Sequence, residues 1–128
     1  MPVTNFLEYA QTIRRTIDAT LASGNAEIVS LEVDQRSLVR GFIKGTLRFK
    51  DASELHVREF IDLTLPEPRV MYAYHYQKSD GALVLRYDNA AHRPALAQLE
   101  HKHTAKSVNT TSAPTLAQVL YEIQSEME

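Results

Sequence analysis

The chain has no cysteine, which excludes disulfides and thiolate metal sites. It has no apolar run as long as a membrane-spanning helix needs. Its first residues, Met1, Pro2, Val3, Thr4 and Asn5, lack the basic-then-apolar order of a signal peptide. Internal repeats and low-complexity tracts are absent too. Positive charge is not in excess: the formal net charge is −2, so binding to RNA would need a local basic patch. These absences lead us to expect a cytoplasmic protein with no membrane contact. Apolar residues make up 44% of the 128, enough for a core, and charged residues 23%, a balance that argues against disorder. The length suits one domain spanning 1–128.

The hydrophobic pattern predicts an α+β fold. Phe6, Tyr9, Ala10, Ile13, Ile17 and Leu21 recur at helical spacing over 4–22, with Thr4 or Asn5 to cap and Gly24 to stop. Residues 26–34, 38–50 and 54–65 alternate as strands, and 70–88 reads as a hairpin turning at Asp80-Gly81. A two-residue turn there sets Tyr76 opposite Leu85, Tyr74 opposite Tyr87, His75 opposite Arg86 and Ala73 opposite Asp88. It also sets Gln77 opposite Val84 and Lys78 opposite Leu83. Between 50 and 54 a three-residue loop keeps apolar opposite apolar, whereas a two-residue loop would not. Gly41 and Gly45, on the apolar face of their strand, mark a bend or the close approach of a helix. Glu59 falls on an apolar face and is expected near an edge or beside a cation. Pro66 and Pro68 end the third strand. Residues 89–113 read as a long irregular segment, and 115–127 as a second helix opened by a Thr115/Gln118 capping box. The expected architecture is a meander of about five antiparallel strands with both terminal helices on its apolar face. The other face gathers Arg40, Lys44, Arg48, Arg58, His56, His75, Arg86 and Asp88, and reads as unusually cationic.

Three chemistries suit these residues. Metal-independent RNA cleavage needs a base, an acid and a cation for the developing phosphorane charge. His92, His101 and His103 can serve as base and acid, Arg86 and Lys102 as cations, and Asp88 to orient a neighbour. The plainer alternative is a solvated His/Lys loop with Arg86 and Asp88 paired on an exposed strand. Second, Arg40, Lys44, Arg48, Arg58 and His75 form a candidate RNA-binding surface, with Phe42 or Phe60 for stacking. A non-catalytic protein- or nucleic-acid-binding module is the matching alternative to an enzyme. Third, His101 and His103, with His92, Asp88 or His75, could hold a divalent metal, although the chain has no His-Glu-x-x-His pattern. No other cofactor is expected.

The run Leu85-Arg86-Tyr87-Asp88-Asn89-Ala90-Ala91-His92-Arg93-Pro94, then His101-Lys102-His103 and Pro114-Thr115-Leu116, resembles the TumE family of toxin–antitoxin toxins. Ala97-Gln98-Leu99-Glu100 stands where that family has further proline and aromatic residues, and Arg93 where a second histidine is common. The resemblance implies a small bacterial or archaeal toxin held inactive by an antitoxin that often carries a helix-turn-helix domain. By analogy with other small toxins it implies an RNA target and a candidate ribonuclease. Partners to test are therefore the antitoxin, RNA, and a second copy of the chain as a homodimer.

Overall fold

The computed structural model describes residues 3–89, 100–104, 108–110 and 113–126, and of 101 and 108–110 the backbone alone. Helix α1 (Phe6–Ala22) leads into strands β1 (Ala26–Gln35), β2 (Arg40–Phe49), β3 (Glu54–Asp62), β4 (Arg69–Gln77), β5 (Leu83–Asp88), β6 (His101–Thr104) and β7 (Val108–Thr110), and helix α2 (Leu116–Glu126) follows. The strands form one antiparallel sheet in chain order. The expected α+β meander with a helix at either end is present. Two strands come from the segment read as irregular, because four- and three-residue strands are too short to show a period.

Local chemistry sets the boundaries. The Asn5 side chain accepts from the Glu8 N–H and starts α1. Gly24 stops it at φ +77°, donating to the Leu21 carbonyl. Thr115 and Gln118 bond reciprocally at the head of α2. β3 ends at Asp62, before the prolines. The Asp62 carboxylate accepts from the Thr64 N–H and hydroxyl, which turns the chain by itself.

Register keeps the parity of the sequence pattern, with one slide and one compensation. Phe49 pairs with Ser53 around Lys50-Asp51-Ala52, so the loop has the expected three residues but begins one residue before the expected 51–53; the pairing slides by two residues and sets Leu47 opposite Leu55, with apolar still facing apolar. The β4–β5 turn is one residue longer than expected. Lys78 pairs with Ala82 around Ser79-Asp80-Gly81, with Gly81 at φ +88°. A bulge then sets Gln77 against Leu83 and leaves Val84 over. The two departures cancel, so Tyr76↔Leu85, Tyr74↔Tyr87, His75↔Arg86 and Ala73↔Asp88 stand, while the expected Gln77–Val84 and Lys78–Leu83 pairs do not.

Both helices pack on one face. Phe6, Ala10, Ile13 and Ile17 from α1, and Leu116, Val119, Leu120 and Ile123 from α2, meet Ile43, Leu47, Leu55, Val57 and Ile61 from the sheet, with Tyr72, Tyr74, Tyr76 and Tyr87. Gly41 lies beneath the Phe6 ring, where a Cβ would come within 2.4–2.6 Å of ring carbons. Gly45 instead faces β1, at Leu31 and the Ser30 carbonyl. Glu59 is on β3, well inside the sheet, and only 1% exposed. It is not near an edge. Tyr9 donates to one of its carboxylate oxygens and Tyr74 to the other at 2.7 Å. Nor does Glu59 pair directly with a cation among the described residues: Arg69 acts at one remove, donating to the Tyr74 hydroxyl and the Pro114 carbonyl. Burial raises the Glu59 pKa despite these partners. No helix among the described residues is long and apolar enough to cross a membrane.

Candidate functional site

The helix-free face carries a transverse row of polar side chains. Thr46, His56, His75, Arg86 and His103 stand opposite one another on β2 to β6. Asp88 is two residues beyond Arg86, so alternation puts both on the same face. Arg86 Nε donates to Asp88 Oδ2 at 2.8 Å. His103 Nε2 stands 3.0 Å from the same oxygen, at ion-pair distance but out of line for a hydrogen bond. Asp88 is 3% exposed, yet more than a third of the Arg86 side chain is accessible. A buried carboxylate thus fixes a guanidinium and an imidazole from adjacent strands.

His75 holds Arg86 from the other side. Arg86 Nη1 lies 3.3 Å from His75 Nδ1. A guanidinium can only donate, so this network assigns the lone pair to Nδ1 and the proton to Nε2, which donates to Gln77 Oε1 at 3.1 Å. Burial first, then the Arg86 charge, lowers the His75 pKa, with His56 adding to the effect and the Gln77 bond opposing it. The ring is a neutral acceptor that orients Arg86. His56 lies 6.1 Å from it between ring centres and contacts Thr46 and Glu54.

Not every expected site residue joins this cluster. Lys102 points to the opposite face, where its amine donates to Glu122 Oε2 at 2.8 Å and lies over the Tyr87 ring. Tyr87 donates to the other Glu122 oxygen. Burial would raise the Glu122 pKa, but the bonds from Lys102 and Tyr87 outweigh it, and the pKa is lowered. Lys102 therefore anchors β6 to α2 and does not stand beside Arg86. The His101 backbone pairs with Asp88, and its side chain lies outside the described residues, as does all of His92. The metal reading thus rests largely on undescribed groups; among the described residues no cluster of three or more His, Asp or Glu could hold a metal ion.

The basic face is not cationic once its acids are counted. Arg40 pairs with Asp62 at 2.9 Å, and Arg48 with Glu54 at 2.9 Å and Glu27 at 3.8 Å. Glu32 stands opposite Lys44, and Asp34 opposite Phe42. Lys44 and Arg58 are exposed, face each other, and pair with no acid among the described residues. Beside them Phe42 and Phe60 meet edge to face at 4.5 Å. The correction comes from neighbouring strands, whose acids occupy the same rows.

A family model described as Toxin TumE matches residues 14–128. The chain belongs to the TumE toxin family. No curated protein and no solved structure matches it. The TumE match runs through the whole sheet, including β5 and β6, which supply Arg86, Asp88 and His103. Two groups at this site, the Gln77 acceptor and His75 as a holder of Arg86, escaped the sequence reading. Their signal was the alternation of His75 and Gln77 on one strand, opposite Arg86 in the expected register.

Proposed function

We propose that this chain is the toxin of a type II toxin–antitoxin pair, that it acts on RNA in the cytoplasm, and that an antitoxin with a helix-turn-helix domain holds it inactive. The observation that carries the RNA reading is the buried Asp88 carboxylate holding Arg86 and His103 together on the helix-free sheet face, with the Arg86 side chain still more than a third accessible. In the proposed step an imidazole takes the proton of a ribose 2′-hydroxyl. The 2′-oxygen bonds to the adjacent phosphorus, the P–O5′ bond breaks, and the departing 5′-oxygen receives a proton from an acid. The products are a 2′,3′-cyclic phosphate and a 5′-hydroxyl. His103 is the proton-transfer group whose place is described, and the Asp88 carboxylate beside it stabilises the imidazolium it becomes on gaining a proton. His101, paired with Asp88, and His92 are the further proton-transfer candidates. Arg86, pinned by Asp88 and His75, meets the charge that develops on phosphorus; a positioned donor of this kind is worth about 10²–10³-fold in rate. Lys44 and Arg58 supply the remaining contacts to the strand.

The test is induced expression in a bacterial host at matched soluble levels. Wild-type chain should stop growth and leave RNA fragments ending in cyclic phosphate. His103→Ala and Arg86→Gln should permit growth while keeping the native circular dichroism spectrum. Arrest by His103→Ala equal to wild type would remove His103 from the chemistry. Arrest with intact RNA would leave a toxin with another target.

A further inference from the structure

The helix-free face holds a pocket of about 190 Å³ that spans β1 to β4. Half-buried Phe42 and Met71 give it an apolar floor, and exposed Glu32, Asp34, Lys44 and Arg58 form its rim. Lys44 and Arg58 stand two residues, about 7 Å, along their strands from Thr46 and His56 of the Arg86 row. One strand of RNA can therefore occupy the pocket and Arg86 together. Asp34 is paired with Arg36 at 3.0 Å, and that guanidinium lies over the Phe42 ring, 5.2 Å from its centre. This pair is neutral, which leaves Glu32, Lys44 and Arg58 as the charges of the rim. Glu32 stands opposite Lys44, and Lys44 opposite Arg58. None of the three makes an ion pair among the described residues. Glu32 would repel a simple anion, and Lys44 and Arg58 a simple cation. An apolar floor with an acceptor and two donors side by side suits a neutral planar ring that carries hydrogen-bonding groups of both kinds, which is a nucleobase.

We propose that this pocket holds an unpaired guanine of single-stranded RNA, and that Glu32 is the residue that selects it. The inference rests on the RNA reading above and names the substrate of that same face. The pairing edge of guanine offers O6 as an acceptor beside N1–H and N2–H as adjacent donors. The two Glu32 carboxylate oxygens take the two donors, Lys44 beside it donates to O6, and Arg58 meets the adjoining phosphate. Adenine and cytosine present one donor group beside an acceptor on this edge, and uracil one donor between two acceptors. Each would set a lone pair against a carboxylate oxygen, and a polar group left facing its like is what makes such a contact selective. A duplex uses this edge for its own pairing, so the pocket takes single strands, whose bases are free to lie on protein side chains.

The test is amide NMR titration of the full chain with the trinucleotides UGU, UAU, UCU and UUU, made with 2′-O-methyl groups so that no 2′-hydroxyl can attack. UGU should bind about ten-fold more tightly than the other three and shift the amides of Glu32, Phe42, Lys44, Arg58 and Met71. Glu32→Ala, checked for native fold by circular dichroism, should bring UGU to the level of the others. A longer methylated strand with UGU at its centre should bind alone and lose that binding when annealed to its complement. Equal affinity for the four RNAs, a preference that survives Glu32→Ala, shifts confined to other residues, equal binding of the duplex, or no binding would each overturn the proposal. Displacement of UGU by an equimolar polyglutamate peptide would give the rim to an acidic protein segment and also overturn it. Because the methylated RNAs are not cut, failure here leaves the growth and cleavage test standing, and intact RNA in that test leaves this binding result standing.

Discussion

Replacing Gly41 with alanine should destabilise the fold without touching the polar face. The added Cβ would stand 2.4–2.6 Å from three carbons of the Phe6 ring, against the ~3.5–4.0 Å of a normal carbon contact. The ring would have to move by about 1 Å, yet Phe6 is fully buried at the first turn of α1. Overpacking of this kind costs about 1–3 kcal/mol, and with a whole ring overlapped the upper end applies, about 3 kcal/mol. For a domain of this size that lowers Tm by roughly 10 °C. Thermal unfolding followed by circular dichroism reads this directly. Phe6→Leu removes the overlapped ring edge, so the double variant should be more stable than the summed single losses predict, by at least about 1 kcal/mol. Gly45→Ala provides a contrast. Its nearest neighbours are the Leu31 Cδ1 at 3.1 Å and the Ser30 carbonyl at 3.3 Å, so it should lose less than half as much. A neutral Gly41→Ala, or strict additivity with Phe6→Leu, would refute the claim that α1 is seated on this glycine.

Further expectations follow from single contacts. His75→Gln keeps an uncharged acceptor for Arg86 and should retain more growth arrest than His75→Leu; equal loss in both would mean the ring does something other than hold Arg86. Because the folded pKa of His75 is lowered, the unfolded chain takes up the proton first as pH falls below about 6.5, so stability should decline with acidification there, and His75→Gln should flatten that slope in unfolding curves. Asp62 behaves as an acid whose folded pKa, lowered to about 2 by bonds from Thr64 and Arg40, adds stability present above its ordinary range; that stability should fade on acidification toward pH 2 and be missing in Asp62→Asn. Tyr9→Phe withdraws one of two hydroxyl donors from the buried Glu59 carboxylate and should cost about 1–3 kcal/mol at neutral pH, measured by urea unfolding.

The sequence alone determined which residues face the core. Period-two alternation over 40–49 and 54–62, and the α1 stripe, assign each side chain to a face without knowledge of its partners, because a strand or helix has only one such geometry. Hairpin parity followed too, since a register slip of one residue would have exposed every apolar side chain. At 78–83 even a wrong loop length yielded the right pairs, because the bulge at Val84 restored the only register that keeps the tyrosines inside. The capping pair Thr115/Gln118, the meander and the TumE resemblance were also legible, all being local patterns.

Tertiary structure decided the site. Nothing in the spacing of Arg86, Asp88 and His103 states that β6 pairs with β5, because a four-residue strand has too little local preference to declare itself and its pairing is gained only once the rest of the sheet exists. That pairing sets His103 against Asp88 and, by alternation, sends the neighbouring Lys102 through to Glu122 on α2. It likewise took cross-strand neighbours to show that Arg40 and Arg48 are already paired, and that Glu59 is held by hydroxyls from α1 and β4. Charge and proton-transfer roles depend on what lies within a few ångströms across strands, and chain spacing does not carry that distance.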